Sequence, residues 1–244
     1  MARRRFFVPE IRRGLAELNG SDAEHLVRVL RAEPGQIYEI SDNRDLYLAV
    51  IETARKSLVS FRVSEKLPAP PPRVRITLIP ALMKFDRFEW LIEKATELGA
   101  TAILPFEANR SEHGLAQAAH KRLARWRKIA LEASQQSRRV HLPEVEGEVR
   151  FAKTLQVDAN IRLLLDEDPA AFPILSRLPT NPSVADHVAL LLGPEGGWTD
   201  EERGQALSAG WLSCSLADTV LRAETAATAA LAIIQAYWAN SGTG

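Results

Sequence analysis

The chain shows two patterns of hydrophobic positions, and the change between them falls at a proline-rich segment. Before residue 70, short β-prone runs at 4–8, 37–40, 46–51 and 57–63 are separated by turn residues. After it, almost continuously apolar runs alternate with segments whose apolar residues recur at helical spacing. Residues 67–73 contain four prolines, which make a stiff linker. We therefore predict two domains, residues 1–70 and 71–244.

The first domain is predicted to be a small β-barrel with one helix. Ser21 and Glu24 have the spacing of a helix-capping box, and Leu26, Val29 and Leu30 follow at helical spacing. Residues 42–45 form the expected hairpin connection between two of the β-prone runs.

The second domain is predicted to be an α/β domain with a mainly parallel sheet. Its short apolar runs, at 74–79, 101–104, 161–165, 187–192 and 212–216, suit strands that are covered on both faces. Two amphipathic helices are predicted between them. One has apolar residues from Phe85 to Leu98 and stops at Gly99, and the other has Trp126, Ile129, Ala130 and Ala133 on one face.

Composition excludes several classes of protein. The 244 residues are 46% hydrophobic and 25% charged, values that exclude a disordered or collagen-like chain. The single cysteine, Cys214, lies in an apolar run and is predicted to be a buried thiol in a reducing compartment. No signal-peptide hydrophobic region follows the basic start, and the apolar segment 226–238 is too short to cross a membrane. We expect a cytoplasmic protein without a membrane anchor.

Charge is unevenly distributed although the net charge is zero. Residues 1–72 carry +2, residues 73–153 carry +5 and residues 154–244 carry −7. The segment 120–139 holds seven cations and a single acid, so it either faces phosphates or is a solvated helix face. The basic start of the first domain is a second place where RNA could dock. The candidate RNA-binding residues are Arg3, Arg4, Arg5, Arg28, Arg31, Arg125, Arg138 and Arg139.

A glycine-rich turn follows one of the predicted buried strands and precedes a helix. Residues 190–202 read LLLGPEGGWTDEE, in which Thr199 and Glu202 form a capping box. Glycines at the carboxyl end of a strand let a ligand approach the backbone, and we expect Gly196 to need a positive φ. The spacing matches neither the dinucleotide-binding fingerprint nor the P-loop. A turn required only for tight geometry remains the alternative.

A second turn follows the strand predicted at 212–216. Residues 217–226 read ADTVLRAETA, and the helix that they enter begins with mostly Ala and Thr. Arg222 and Glu224 lie beside the start of this helix. They are either a surface salt bridge or groups that act on a ligand.

These segments together resemble a known family. LLLGPEGGWTDEE and LADTVLRAETAATAAL are similar to the signature of the SPOUT-class RNA methyltransferases. RRFFV, HLVRVLRAEPGQ, ALMKFDRFEWLIEKATELGATAILPFEANRSE and RWRKIALEASQQSRRVHLPEV extend the resemblance to the bacterial RsmE-type 16S rRNA uridine N3-methyltransferases over essentially the whole chain.

The resemblance implies an N-terminal PUA-like barrel, a C-terminal domain with a trefoil knot, and a homodimer. It implies that S-adenosylmethionine lies bent in the knot. The positions that match its binding loops are Leu165, Leu192, Gly193, Glu195, Gly196, Leu216, Leu221 and Thr225. We expect the dimer interface to include the helix 225–238, although packing within one subunit would also explain its apolar character.

The implied reaction is methylation of uridine N3 in 16S rRNA of the small ribosomal subunit. Glu224 would take the N3 proton and Arg222 would stabilise the anion, or the pair would only anchor the turn. The histidines show no metal-ligand spacing, so we expect no metal. A ribose 2'-O-methyltransferase and a non-catalytic ribosome-assembly factor are the alternatives.

Overall fold

The computed structural model describes residues 4–241. The chain forms two compact units. One unit runs to Pro70 and also includes Leu131–Leu142, and the other holds Pro71–Ala130 and the chain from Pro143 onward. The division at residue 70 coincides with the proline-rich linker. Residues 131–142, which the sequence analysis placed in the second domain, pack with the first unit instead.

The first unit is built on a six-stranded sheet and one helix. The strand order in the sheet is β1-β4-β5-β6-β3-β2. The strands and the helix are β1 (Arg5–Phe7), β2 (Ile11–Arg12), β3 (Leu15–Asn19), α1 (Gly20–Arg28), β4 (Ile37–Ser41), β5 (Leu46–Arg55) and β6 (Leu58–Leu67). The four predicted runs are strands β1, β4, β5 and β6. The sequence analysis missed β3, whose residues LAELN include no β-branched or aromatic side chain.

Two local predictions in this unit have different outcomes. The hairpin is confirmed, because β4 and β5 pair antiparallel and Asn43 in their connection has φ of +67°. The capping box at Ser21 is wrong. Helix α1 begins at Gly20, so Ser21 lies inside the first turn, and the residue at the N-cap, Asn19, makes no side-chain capping bond.

Partly buried hydrogen bonds and an ion pair fasten residues 131–142 to the first sheet. Glu39 on β4 is buried and accepts from Arg5 Nη2 at 2.8 Å and from Arg138 Nη2 at 2.9 Å. Ser41 Oγ donates to the carbonyl oxygen of Val140 at 2.6 Å. Local periodicity along the sequence does not reveal pairings across about a hundred residues, which explains the misplaced segment.

The second unit contains a seven-stranded sheet in which every pairing is parallel. Its strand order is β10-β8-β7-β14-β12-β15-β13. These strands are β7 (Arg75–Pro80), β8 (Ala102–Ile103), β10 (Glu144–Val145), β12 (Ile161–Leu165), β13 (Phe172–Pro173), β14 (His187–Leu192) and β15 (Leu212–Ser215), and β9 (Phe106–Glu107) pairs separately with β11 (Val149–Arg150). The prediction of an α/β fold with a mainly parallel sheet is confirmed.

Helices cover both faces of this sheet. Along β14, Val188, Leu190 and Leu192 belong to one apolar core, and Ala189 and Leu191 belong to the core on the opposite face. This two-sided burial explains the uninterrupted apolar run that predicted the strand. The helices are α2 (Phe85–Glu97), α3 (Leu115–Ala119), α4 (Leu123–Gln136), α5 (Phe151–Thr154), α6 (Asp200–Ser208) and α7 (Ala223–Ser241).

Two predicted helix boundaries in the second unit are confirmed, the end of α2 and the start of α6. Helix α2 ends at Glu97, and Gly99 follows with φ of +88°. The capping box of α6 is present, because Glu202 N donates to Thr199 Oγ1 at 3.1 Å and Thr199 N donates to Glu202 Oε2 at 3.0 Å. Over residues 4–241, no helix is long and apolar enough to cross a membrane.

Candidate active site

A pocket of about 370 Å³ opens at the carboxyl ends of three adjacent parallel strands, β12, β14 and β15. Most residues of three segments, 165–167, 192–198 and 214–223, line it, together with Arg87 from α2 and Ala226 from α7. This edge of the sheet is where open α/β folds bind ligands, and the volume is typical of small-molecule sites. The pocket is therefore the candidate active site of the second unit.

The structure brings most of the predicted cofactor residues together. The six that line the pocket are Leu165, Leu192, Gly193, Glu195, Leu216 and Leu221. The other two do not line it. Gly196 lies against Arg110, and Thr225 is exposed on α7. Of the two residues predicted to act on the substrate, Arg222 lines the pocket and Glu224 does not.

The glycines of the turn after β14 are required for different reasons. Gly197 has φ of +71°, a conformation that favours glycine. Gly193 is restricted by space, because a Cβ atom there would lie 2.9 Å from Cε2 of Trp198. A Cβ atom on Gly196 would meet Cβ of Arg110 at 3.1 Å, and Gly196 is not among the residues with positive φ. The expectation of a positive φ at Gly196 is therefore wrong, and Gly197 is the residue that needs it.

Trp198, which the sequence analysis did not single out, holds this turn in place. Its indole Nε1 donates to the carbonyl oxygen of Leu165 at 2.8 Å, so it joins the turn after β14 to the end of β12. The ring stacks on Phe106 with a centroid distance of 6.1 Å and is buried. Arg110 Nη1 also donates to the carbonyl oxygens of Gly196 and Trp198, at 3.0 and 3.2 Å. The turn is thus fixed by packing and by hydrogen bonds from two sides.

Charged side chains of both signs line the pocket. Asp166 is buried and accepts from Arg203 Nε at 2.7 Å and Nη2 at 3.1 Å. These hydrogen bonds raise the pKa of the Arg203 guanidinium above its ordinary value. Arg87 and Glu195 form an ion pair with each other, and both line the pocket. Burial raises the pKa of the Cys214 thiol to about 12, so this wall residue is uncharged at neutral pH.

Arg222 and Glu224 do not form the surface salt bridge that was one interpretation of their spacing. Within residues 4–241 no ion pair joins them, and Arg222 is exposed at the pocket wall. Glu224 lies in the first turn of α7, where its Oε2 atom is buried without a hydrogen-bond partner in the described part of the chain. A buried carboxylate oxygen without a partner is costly, and such atoms often have a functional reason.

The predicted RNA-binding arginines have different surroundings. Arg3 lies outside the described residues, and Arg4, Arg28 and Arg31 are exposed. Arg5 is buried against Glu39, so its guanidinium is occupied within the first unit, and Arg138 shares that carboxylate. Arg139 donates to the carbonyl oxygen of His141, and burial lowers its pKa to about 10. Arg125 Nε donates to Glu89 at 2.8 Å, and this hydrogen bond is the main cause of the lowered pKa of Glu89.

A parallel sheet covered on both faces, with a glycine-lined pocket at its carboxyl edge, defines an α/β protein with a small-molecule site. Comparison with known families then identifies the kind of α/β protein. The model of the RNA methyltransferase domain matches residues 70–235, a region that contains the whole pocket. The chain belongs to this RNA methyltransferase family.

Individual relatives extend the similarity to both units. The chain is 33% identical over 227 residues to the ribosomal RNA small subunit methyltransferase E of Mycobacterium bovis, covering 90% of this chain and 86% of that one. It is 34% identical to the protein of the same name from Synechocystis, covering 97% and 78%. A crystal structure of ribosomal RNA small subunit methyltransferase E from Neisseria gonorrhoeae, bound to S-adenosyl methionine, is similar with a TM-score of 0.87 and 30% identity, covering 97% and 98%.

Proposed function

We propose that this protein methylates N3 of a uridine in 16S rRNA with S-adenosylmethionine as the methyl donor. The observation that carries the proposal is the glycine-lined pocket at the ends of β12, β14 and β15, which lies inside the region matched by the RNA methyltransferase family. The similar proteins from Mycobacterium bovis and Synechocystis are named as small-subunit rRNA methyltransferases, and this supports the choice of RNA. The N3 position rests on the resemblance of the sequence segments to the RsmE-type family.

The residues of the pocket fit S-adenosylmethionine. Gly193 and Gly197 line the pocket with backbone atoms alone, so a ligand can contact main-chain groups there. Apolar side chains of Leu165, Leu192 and Leu221 offer contacts for an adenosine, and charged groups of both signs suit an amino acid end. When bound, S-adenosylmethionine supplies an electrophilic methyl group on a sulfonium. In this proposal Gly196 and Thr225 do not contact the ligand. Gly196 belongs to the neighbouring turn, and Thr225 belongs to helix α7.

Arg222 and Glu224 are proposed to act on the uracil. Uracil N3 carries a proton at neutral pH, and its loss leaves an anion that a guanidinium stabilises. Arg222, exposed at the pocket wall, takes this role. Glu224 accepts the proton in this proposal, and its buried Oε2 atom without a hydrogen-bond partner in the described chain supports an acceptor there. Because Glu224 does not line the pocket of the free protein, this role requires the start of α7 to move when the RNA binds.

The two units are proposed to divide the work. The first, with its sheet, helix α1 and exposed Arg4, Arg28 and Arg31, acts as a PUA-like RNA-binding barrel. Arg125, with a side chain that is 64% exposed, adds a phosphate contact from the second unit. The second unit carries the knotted methyltransferase fold. The position of β14 between β7 and β12 supports this, because it requires the chain to return to the middle of the sheet.

A homodimer formed through α7 is also part of the proposal. Ala226, Ala229, Ile233 and Tyr237 are only partly buried within one chain, whereas Ala230 is fully buried. Tyr237 donates to the carbonyl oxygen of Pro179, so its hydroxyl already has a partner. Half-exposed small and apolar residues along one helix suit close helix packing between subunits. We place the protein in the cytoplasm, where its buried free thiol stays reduced.

Nucleoside analysis tests the reaction. Purified protein is incubated with S-adenosylmethionine carrying an isotopically labelled methyl group and with 16S rRNA from a strain that lacks the gene. The rRNA is then digested and analysed by mass spectrometry. The proposal predicts label on the base, as N3-methyluridine. Label on the ribose would favour a 2'-O-methyltransferase, and rRNA binding without methylation or cofactor binding would favour an assembly factor.

A further inference from the structure

The charged side chains around the pocket differ in how firmly their charges are satisfied. Asp166 has a side chain that is 1% exposed and is held by two hydrogen bonds from Arg203, so it belongs to the fixed framework. Arg87 and Glu195 satisfy each other, although their side chains are 33% and 45% exposed. Arg222 makes no ion pair with another residue of the described chain. The Arg87–Glu195 pair is thus a solvent-exposed link between two pocket residues.

This pair joins separate walls of the pocket. Arg87 lies in the first turn of α2, and Glu195 lies in the turn after β14 that Trp198 and Arg110 hold in place. Exposed ion pairs contribute little to stability, because water and dissolved ions compete for both charges. A ligand with a charged group can therefore replace either residue at small cost. The two ligands of the proposed reaction bring a partner for each residue: the ammonium of the cofactor's amino acid end can pair with Glu195, and RNA phosphates can pair with Arg87.

We infer that Arg87 is an additional RNA-binding residue. In the free protein Arg87 is paired with Glu195, and it becomes available when the ammonium group of the cofactor's amino acid end binds the Glu195 carboxylate instead. This inference rests on the proposed function. Glu195 is the partner for the ammonium because it lies in the same turn as Gly193 and Gly197, where the proposal places the cofactor. Once Arg87 is released, it and Arg222 are two arginines at one pocket that can face RNA phosphate and the uracil.

This exchange of partners at Glu195 couples the binding of the cofactor to the binding of RNA. Cofactor binding removes the intramolecular competitor for Arg87 and so strengthens RNA binding. By thermodynamic linkage, RNA strengthens cofactor binding by the same factor. S-adenosylhomocysteine keeps the ammonium and should couple, whereas 5'-methylthioadenosine lacks the amino acid end and should not.

Affinity measurements on the full chain test the inference. The affinity of a fluorescently labelled fragment of 16S rRNA is measured without ligand, with saturating S-adenosylhomocysteine, and with saturating 5'-methylthioadenosine. In the wild type, S-adenosylhomocysteine should raise RNA affinity by about fivefold or more, within the usual range of such couplings, and 5'-methylthioadenosine should not. Glu195→Gln should bind RNA tightly without any ligand, and Arg87→Gln should bind it weakly with or without one.

Two substitutions on α2 control for net charge. Glu93→Gln and Lys94→Gln make the same charge changes, and neither residue lines the pocket. Both variants should keep the coupling. Persistence of the coupling in Glu195→Gln or Arg87→Gln would overturn the inference. So would an Arg87→Gln protein that loses affinity for S-adenosylhomocysteine but keeps its RNA affinity, since Arg87 would then serve the cofactor.

The outcomes separate this inference from the proposed function. If the wild type does not bind S-adenosylhomocysteine, the proposed function itself fails. If it binds both ligands but their affinities are independent, only the exchange between Arg87 and Glu195 is rejected.

Discussion

The two main walls of the pocket are built in different ways. In the turn after β14, residues 193–198, Gly193 lies against the ring of Trp198. Arg110 donates hydrogen bonds to this turn, and the capping box of α6 follows it. The segment after β15, residues 217–221, makes no hydrogen bond within residues 4–241, and Val220 is 76% exposed. One wall is formed before any ligand arrives, and the other has few interactions that fix it. This contrast suggests that the first wall is preformed for the cofactor, and that the second wall, which leads directly into Arg222, becomes ordered around the ligands.

The largest expected effect concerns chemistry at the second wall. Arg222→Ala should lower kcat by about a hundredfold or more, because the anion that Arg222 is proposed to stabilise develops mainly in the transition state. Affinity for S-adenosylhomocysteine, measured by calorimetry, should change little. Glu224→Gln keeps the shape of the side chain but removes the proposed proton acceptor, so it should also lose about a hundredfold in kcat. A loss below fivefold in Glu224→Gln would leave that residue as an anchor of the helix.

The next effect concerns binding at the first wall. Gly193→Ala should weaken S-adenosylhomocysteine binding by about tenfold or more, since the new Cβ lies 2.9 Å from the ring of Trp198 and forces the turn to move. Gly204→Ala is the matched control, because nothing lies within 4 Å of a Cβ atom there. Equal affinities of the two folded variants in calorimetry would show that this turn does not form the binding wall.

How much of this arrangement the sequence predicts depends on whether the interactions are local. The strand–turn–helix order around Gly193, and the capping box of Thr199 and Glu202, follow from neighbouring residues and are confirmed. The contact of Trp198 with Leu165 spans 33 positions, and no periodicity indicates it. The burial of Arg5 against Glu39 depends on pairing of β1 with β4, so a basic run alone could not reveal it. Gly196 was assigned a positive φ because the sequence does not distinguish adjacent glycines.

A moderate effect is expected from the indole group of Trp198. Trp198→Phe keeps an aromatic ring against Phe106 but removes the hydrogen bond to Leu165, so cofactor affinity should fall about threefold to tenfold, in line with the loss of one hydrogen bond. Trp198→Ala should in addition lower the free energy of unfolding by about 3 kcal/mol or more, because it leaves a cavity. Urea denaturation of both variants measures their free energies of unfolding. Equal values would contradict the conclusion that packing of the Trp198 ring stabilises the turn.

The smallest effect uses Cys214 as a reporter of the second wall. The thiol is fully buried in β15, and burial raises its pKa to about 12, so its reaction with a thiol reagent at pH 8 should be slow. Labelling should accelerate as pH rises, because the thiolate is the reactive form. Saturating S-adenosylhomocysteine should slow it about twofold to fivefold at constant pH by closing the wall beside it, an effect that corresponds to less than about 1 kcal/mol. The labelling rate would be unchanged by ligand if this wall took no part in binding.

Hydrogen exchange with and without S-adenosylhomocysteine tests the contrast between the walls most directly. We predict fast exchange of the amides of 217–221 in the free protein and strong protection when the ligand is bound. The amides held in the turn after β14, such as that of Gly197, which donates to Pro194 at 2.9 Å, should already exchange slowly without ligand. Ligand binding that protects neither segment, or that protects a region away from the ends of β12, β14 and β15, would contradict the location of the site.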